Sequence, residues 1–350
     1  MIKEDLNERE KNILRYIIQQ FVLTAAPVGS RNIAKKYELG ISPATVRNIM
    51  SDLEESGYIN HPHTSAGRIP TDKGYRTYVD SLMGLGKIGS SEKGIISKSF
   101  EEAITDTDEL LRITSKLLSS ITRQLAAVSY PKVDTGALEK IQLVSLSSTR
   151  ILVVISIKSG LVKTITLEQN SELNPEQLES VQRLLNERLS GLSLKEIRET
   201  FEERFKEVPE DHDAIMRLFI DSADKIFQDV KHTEKLVITG AKDVIMQPEF
   251  DVPEKFQSVI ELIEDQDVII HILEKSGESG MDQVYISIGS ENEDQKLKDY
   301  SLISKEYKIG NVSGTLGIIG PKRMEYSKVV AIVDYVSKFL TEVLTNVNPK

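Results

Sequence analysis

Between Pro43 and Glu55 the sequence gathers side chains suited to one task, hydrogen bonding to the edges of nucleic-acid bases. On a helical wheel Val46, Ile49, Met50 and Leu53 fall on one face, Ala44, Asn48 and Ser51 on the opposite face, and Thr45 and Arg47 on the flanks. Arginine can hold guanine O6 and N7 together, asparagine can hold adenine N6 and N7, and alanine or threonine can touch a thymine methyl. By itself the pattern also describes any amphipathic helix with a solvated polar face. The loop at 61–70 favours the first reading. His63, Thr64, Ser65, Gly67 and Arg68 bring small, hydroxyl and cationic groups to a hairpin tip, as contact with a phosphate backbone or a minor groove requires. The candidate DNA-contacting residues are thus Ala44, Thr45, Arg47, Asn48 and Ser51 on the helix, with Ser65 and Arg68 on the loop. Lys35, Lys36, Lys73 and Arg76 are either phosphate clamps or solvated charge. Tyr75 and Tyr78 read as packing residues.

Such a helix needs two others to hold it. Asn7 and Glu10 form a capping-box signal, followed by Ile13, Leu14, Ile17, Ile18, Phe21 and Val22 at helical spacing. Pro27 and Gly29 end that helix near Ala25. Ser30 can cap a short second helix that Gly40 terminates. Ser42 and Pro43 supply a cap and a first-turn proline for the third, which Gly57 stops. Three short helices followed by a two-stranded loop describe a winged helix.

The overall balance of -10 argues against nucleic acid until charge is read locally. From Val28 to Arg76 seven cations (Arg31, Lys35, Lys36, Arg47, Arg68, Lys73, Arg76) face five acids (Glu38, Asp52, Glu54, Glu55, Asp72), and three of the acids lie late in the reading helix. The acidic surplus belongs to the rest of the chain. The absence of cysteine rules out disulfides, thiolate metal sites and a cysteine nucleophile. His61 and His63 lack a third ligand nearby, and His212, His232 and His271 are scattered, so no metal site is expected. No carboxylate pair or serine constellation marks a catalytic centre, and no cofactor or enzymatic activity is expected. Gly310, Gly314, Gly317 and Gly320 have the wrong spacing for a phosphate loop. The charged start resembles no signal peptide and no apolar run is long enough for a bilayer, which makes the cytoplasm the expected compartment.

Beyond the first 83 residues, glycines and serines at 84–91 read as a linker, within an expected boundary segment 84–98. A long helix is expected over 99–129, a β-meander over 141–146, 151–157 and 161–167, and a helical block over 174–228. Strands are expected at 236–239, 268–273, 284–288, 300–307 and 315–319, and a closing helix at 328–344.

Two stretches, Ser42-Pro-Ala-Thr-Val-Arg-Asn48 and Pro62-His-Thr-Ser-Ala-Gly-Arg-Ile-Pro-Thr-Asp-Lys-Gly-Tyr-Arg76, closely resemble the HrcA family of bacterial heat-inducible transcription repressors. Ile288-Gly-Ser-Glu-Asn292 and Gly314-Thr-Leu-Gly-Ile-Ile-Gly-Pro-Lys-Arg-Met-Glu-Tyr326 look like the same family's closing motifs. The resemblance implies an α+β multidomain fold: an N-terminal winged helix-turn-helix (1–83), a GAF-like α/β domain (99–169 and 271–344), and an α/β dimerisation domain inserted at 170–270. It implies a homodimer that binds double-stranded DNA at an inverted-repeat operator of the CIRCE type and represses chaperone operons such as grpE-dnaK-dnaJ and groELS. The chaperonin GroEL is the implied modulator. Two positions depart from the pattern: Ile49 stands where the family is usually acidic, and Lys322 where a threonine is expected. A regulator that senses a small molecule in the GAF-like domain is the alternative, and an enzyme acting on a nucleotide bound there is a third reading, without a nucleophile or phosphate loop to support it.

Overall fold

Asn7 begins the first helix by accepting hydrogen bonds from the backbone N–H groups of Arg9 and Glu10, while the Glu10 carboxylate accepts from Asn7 N–H at 2.8 Å. In this computed structural model, which describes residues 6–37, 40–62, 67–84, 86–101, 106–169, 174–206, 213–228, 236–277 and 283–347, that helix is α1, Glu8–Thr24. It buries Ile13, Leu14, Ile17 and Ile18, and Ala25 closes it in the left-handed conformation. Helix α2, Ser30–Lys36, starts one residue earlier than the serine signal suggests, with Gly29 in the cap position. Helix α3, Pro43–Glu55, has the Ser42 hydroxyl accepting from Thr45 N–H at 3.1 Å, and Gly57 follows it at φ +76°. Strand β1, Ile59–Asn60, pairs antiparallel with β2, Ile69–Pro70, and Val28 exchanges two backbone hydrogen bonds of 2.9 Å with Arg68 beside them. Thr71 then caps α4, Asp72–Thr77, and a π-helical turn, Tyr78–Leu82, completes the segment.

These elements share a compact unit with most of an α/β layer; the unit comprises Met1–Val128, Val237–Lys305 and Leu316–Ser337. The helix expected over 99–129 is instead α5, Ser90–Glu101, then α6, Thr107–Thr122, then strand β3, Leu125–Ser129. Arg123, at φ 55°, ends α6, and all five β3 residues are buried. A short apolar run buried on both faces has no period that separates strand from helix, which is why Leu125 reads as helical in sequence. Strand β3 joins β7, Leu236–Thr239, β8, Tyr285–Ile288, β9, Tyr300–Ile309, and β10, Val312–Pro321, in one sheet. The strand order is β7-β3-β10-β9-β8, with β3 antiparallel to β10. Helices α11, Ala241–Ile245, α12, Pro253–Glu264, and α13, Gln266–Gly277, precede β8. The strand expected at 268–273 is part of α13: Ile269, Ile270, Leu273 and Ser276 are buried at helical spacing, so packing overrides the β-branched composition. The closing helix α14 runs Tyr326–Val347. The glycine-rich stretch after Leu82 is no free tether, because Ser327 donates to Gly84 O at 2.6 Å and the Ser327 carbonyl leaves no room for a side chain at Gly86.

The second unit comprises Ser129–Leu236, Glu306–Thr315 and Lys338–Lys350. Its antiparallel meander is β4, Leu138–Ser147, β5, Arg150–Ile157, and β6, Val162–Glu168. Helices α7, Pro175–Leu189, α8, Leu194–Arg204, α9, Asp213–Asp221, and α10, Ala223–Phe227, follow. Ile141, Ile151, Val153, Ile155 and Ile157 from the strands form one buried cluster with Leu185, Ile197, Phe201, Phe219 and Phe227 from the helices. Edge strand β4 is covered in part by side chains of α7: Ile141 N–H donates to Asn186 Oδ1 at 2.7 Å and Asn186 Nδ2 donates back to Ile141 O at 2.8 Å. The sequence boundaries divide the chain differently, assigning the meander to 99–169 and the helices to an insert at 170–270. Alternate residues of the meander need an apolar cover, and the helical block provides it, so strands and helices belong together while 237–270 joins the other unit. Phe201→Ala should destabilise the protein by about 3–5 kcal/mol, the usual cost of emptying a buried aromatic site. Urea unfolding followed at the far-ultraviolet helix signal, with exposed Glu199→Ala as the unchanged control, measures it.

Candidate nucleic-acid interface

The inner face of α3 is fixed by Val46, Met50 and Leu53, all buried, and Ile49 lies half-buried at its margin. That placement makes an apolar residue at 49 an extension of the packed stripe. Ala44, Arg47, Asn48 and Ser51 are exposed on the outside. The Thr45 hydroxyl is 3.0 Å from Ser42 Oγ and is partly taken up in the cap. Neither Arg47 nor Asn48 has a side-chain hydrogen bond or ion pair with any described residue, so their donors and acceptors face solvent.

Arg68 is held differently. Its Nε lies 2.7 Å from Glu54 Oε2, a close approach poorly aligned for a hydrogen bond, and the other Glu54 oxygen contacts His61 Nδ1. One acid on α3 therefore anchors both ends of the β1–β2 hairpin and neutralises part of its cationic charge. Ser65 and His63 lie outside the described residues. Lys35 is exposed at the end of α2. Lys36 donates to Gln20 Oε1 at 2.6 Å, and Lys73 donates to Ser56 O at 2.9 Å with its ammonium 4.3 Å from the Tyr58 ring centre.

Arg76 does not join these residues. Its Nε donates to Glu291 Oε1 at 2.8 Å, Nη2 reaches the other Glu291 oxygen and donates to Ile286 O at 2.8 Å, and Nη1 pairs with Asp80 at 3.1 Å. Four of its five N–H donors are thus engaged within this unit, an arrangement that favours a packing role over the expected phosphate clamp. Asp72 lies alongside, accepting from Ser290 N–H at 2.9 Å and pairing with Lys322 Nζ at 2.7 Å. Gly289, at φ +54°, sits directly under the Asp72 carboxylate, where any side chain would collide. Arg323 donates to Val22 O at 2.7 Å and forks onto Glu249. The Tyr75 and Tyr326 rings lie 5.8 Å apart, and Tyr326 donates to Lys322 O at 2.7 Å.

The two closing motifs of the sequence thus form a seat for α1 and α4. No local signal reveals this use, because Arg76 and Glu291 are 215 residues apart in the chain. Lys322, the unexplained departure from the pattern, has a specific partner in Asp72. Burial acts to raise the Asp72 pKa, but hydrogen bonds from Lys322 and Ser290 outweigh it and hold the carboxyl below its ordinary value. Among the described residues no group of three or more His, Asp or Glu is placed to hold a metal, and no helix is long and apolar enough to cross a membrane.

The family model described as the HrcA protein C terminal domain matches residues 108–330. A protein of Chlorobium phaeobacteroides (strain BS1) named heat-inducible transcription repressor HrcA is 44% identical over 354 residues, covering 99% of this chain and 100% of its own length. One of the same name from Prosthecochloris aestuarii is 42% identical over 352 residues, covering 98% and 99%. A solved structure titled only as a hypothetical protein aligns with TM-score 0.59 at 24% identity, covering 98% of this chain and 100% of the other, and so shares the fold.

Since the folded-state pKa of Asp72 is lowered, its contribution to stability is complete above the ordinary carboxylate pKa of about 3.9 and is lost as pH falls through the lower folded value. The difference in melting temperature between wild type and Asp72→Asn should therefore be constant from pH 7 to about 4 and shrink below it. Thermal scans across that range test this, and a difference independent of pH down to the acid limit would remove Asp72 from the linkage.

Proposed function

Because the chain belongs to the HrcA family of heat-inducible transcription repressors, we propose that its first 83 residues are a winged helix-turn-helix that represses transcription by placing α3 in the DNA major groove. The observation that carries the reading is the outer face of α3, where Arg47 and Asn48 are exposed and have no partners among the described residues. Arg47 reads guanine, Asn48 reads adenine, and Ala44, Thr45 and Ser51 line the approach to thymine methyls and neighbouring edges. Lys35, Lys36 and Lys73 contact phosphate, and Ser65 and Arg68 bring the hairpin to the backbone or minor groove.

The operator is an inverted repeat controlling chaperone operons, and the repressor binds it as a homodimer whose two-fold axis coincides with that of the DNA. The α/β layer built on β3 and β7–β10 is the GAF-like domain, and the chaperonin GroEL modulates activity, as the resemblance implies. The protein works in the cytoplasm. Its curated relatives are named as repressors and none of the matches indicates an enzymatic family.

Fluorescence anisotropy on an inverted-repeat operator and on a scrambled duplex, at two salt concentrations and with and without chaperonin, tests the reading. Equal weak binding to both duplexes under all conditions would sink it. Arg47→Ala should cost about 1–3 kcal/mol on the operator and relax discrimination at one base pair, leaving the scrambled duplex unchanged. Glu54→Ala should free Arg68 and steepen the dependence of log affinity on log salt by about one unit on either duplex, whereas Arg68→Ala should make it shallower. An unchanged slope in both variants would exclude the hairpin from the phosphate contacts.

A further inference from the structure

Within the first unit, a cleft of about 570 Å³ opens where the first eighty residues meet the α/β layer. Phe21 and Tyr75 from the first eighty residues and Phe250 from the α/β layer are the aromatic members of a lining that is otherwise mostly polar and charged, with Ile69, Pro70 and Pro321. Four of its seven charges are matched in pairs from within. Asp72 pairs with Lys322 and Glu249 with Arg323, and Lys73 is engaged by the Ser56 carbonyl and the Tyr58 ring. Lys255 is exposed at the rim with no side-chain partner among the described residues. Counting Lys73, Lys255, Lys322 and Arg323 against Asp72, Glu249 and Asp299 leaves a surplus of one positive charge. The Tyr75 hydroxyl is buried and has no hydrogen-bond partner among the described residues. Burial raises its pKa well above the ordinary tyrosine value, so it remains a protonated donor in need of an acceptor.

We propose that this cleft is an effector site for a small aromatic carboxylate, its ring against Phe21, Tyr75 and Phe250 and its carboxylate satisfying Lys255 and the orphaned Tyr75 donor. One surplus positive charge matches a carboxylate better than a phosphate monoester, which carries about -1.5 to -2 at neutral pH. A flat ring suits walls of Phe and Tyr, where offset stacking is favourable. The ligand touches both sides of the cleft and so binds best when α1 and α4 are seated; its influence on transcription rests on the DNA-reading role proposed above, but its binding does not.

Isothermal titration calorimetry of 2-naphthoate into the full-length protein tests the site, with neutral 2-naphthamide as the matched control. One saturable site per chain is expected, at least ten-fold weaker for the amide and for Lys255→Glu, and unchanged in Lys242→Glu, an exposed substitution outside the cleft. Absence of saturable heat up to millimolar naphthoate, equal affinity for the amide, or equal affinity in Lys255→Glu overturns the proposal. Operator anisotropy on the same preparations separates the two ideas: naphthoate binding without operator binding would fail the DNA-reading role alone, and the converse would fail the effector site alone.

Discussion

The fork between Arg76 and Glu291 is the contact around which the first unit is organised. An arginine at the end of a helix as short as α4 would ordinarily wave in solvent, yet here its planar donors match two carboxylate oxygens and a backbone carbonyl at once. That bidentate geometry fixes direction as well as distance, which a lysine at the same place could not do. With Arg76 held, Asp72 is brought over the bare backbone of Gly289 and into reach of Lys322. Tyr75 then faces Tyr326, and α1 is secured by Arg323 through the Val22 carbonyl. The seat is thus a set of directional polar contacts around one aromatic pair, in contrast to the continuous apolar cluster that joins β4–β6 to α7–α10.

The same contacts reconcile a net charge of -10 with the DNA-reading face proposed for α3. Several cations of the first eighty residues also have partners within the protein: Arg76 is held by Glu291, Arg68 lies against Glu54, and the exposed Lys36 donates to Gln20. The outward cations on α2 and α3 are a small group, Arg31, Lys35, Lys36 and Arg47, with Asn48 beside Arg47. A face of this kind gains its discrimination from hydrogen-bond geometry at base edges, since it has few charges with which to hold phosphate indiscriminately. The acid late in α3 also has a structural task, because Glu54 ties the hairpin to the helix and sets where Arg68 can reach.

Much of this was legible in the sequence wherever the determinant is local. The capping box at Asn7 and Glu10, the Ser42-Pro43 start and Gly57 mark helix ends through hydrogen bonds and backbone angles set within four residues, whereas α2 ends at Lys36 with Tyr37 as its cap, short of the expected Gly40. The outward face of α3 follows from helical periodicity alone. What periodicity could not resolve are segments whose conformation is decided by distant neighbours. Leu125 begins an interior strand of a sheet and Ile269–Leu273 lies in a helix although both runs are short, apolar and β-compatible. The closing motifs are visible as motifs, but their use depends on pairing Glu291 and Lys322 with residues more than two hundred positions earlier. The same holds for the meander, whose apolar face specifies that it must be covered without specifying by what.

A seat made mainly of ion pairs has a consequence for temperature sensing. The desolvation cost of charged groups falls on heating, while stabilisation per unit of apolar area levels off, so polar contacts of this type lose less with temperature than their modest strength at 25 °C suggests. The contact between α4 and the 286–291 segment is therefore a poor thermometer by itself. A response to heat acting through this protein has to enter elsewhere, through a partner that binds the folded state and is withdrawn when unfolded chains compete for it, or through opening of an apolar core with a steep enthalpy. On the proposed reading of α3, the directional seat would favour loss of function on heating through the population of folded protein over gradual loosening of that face.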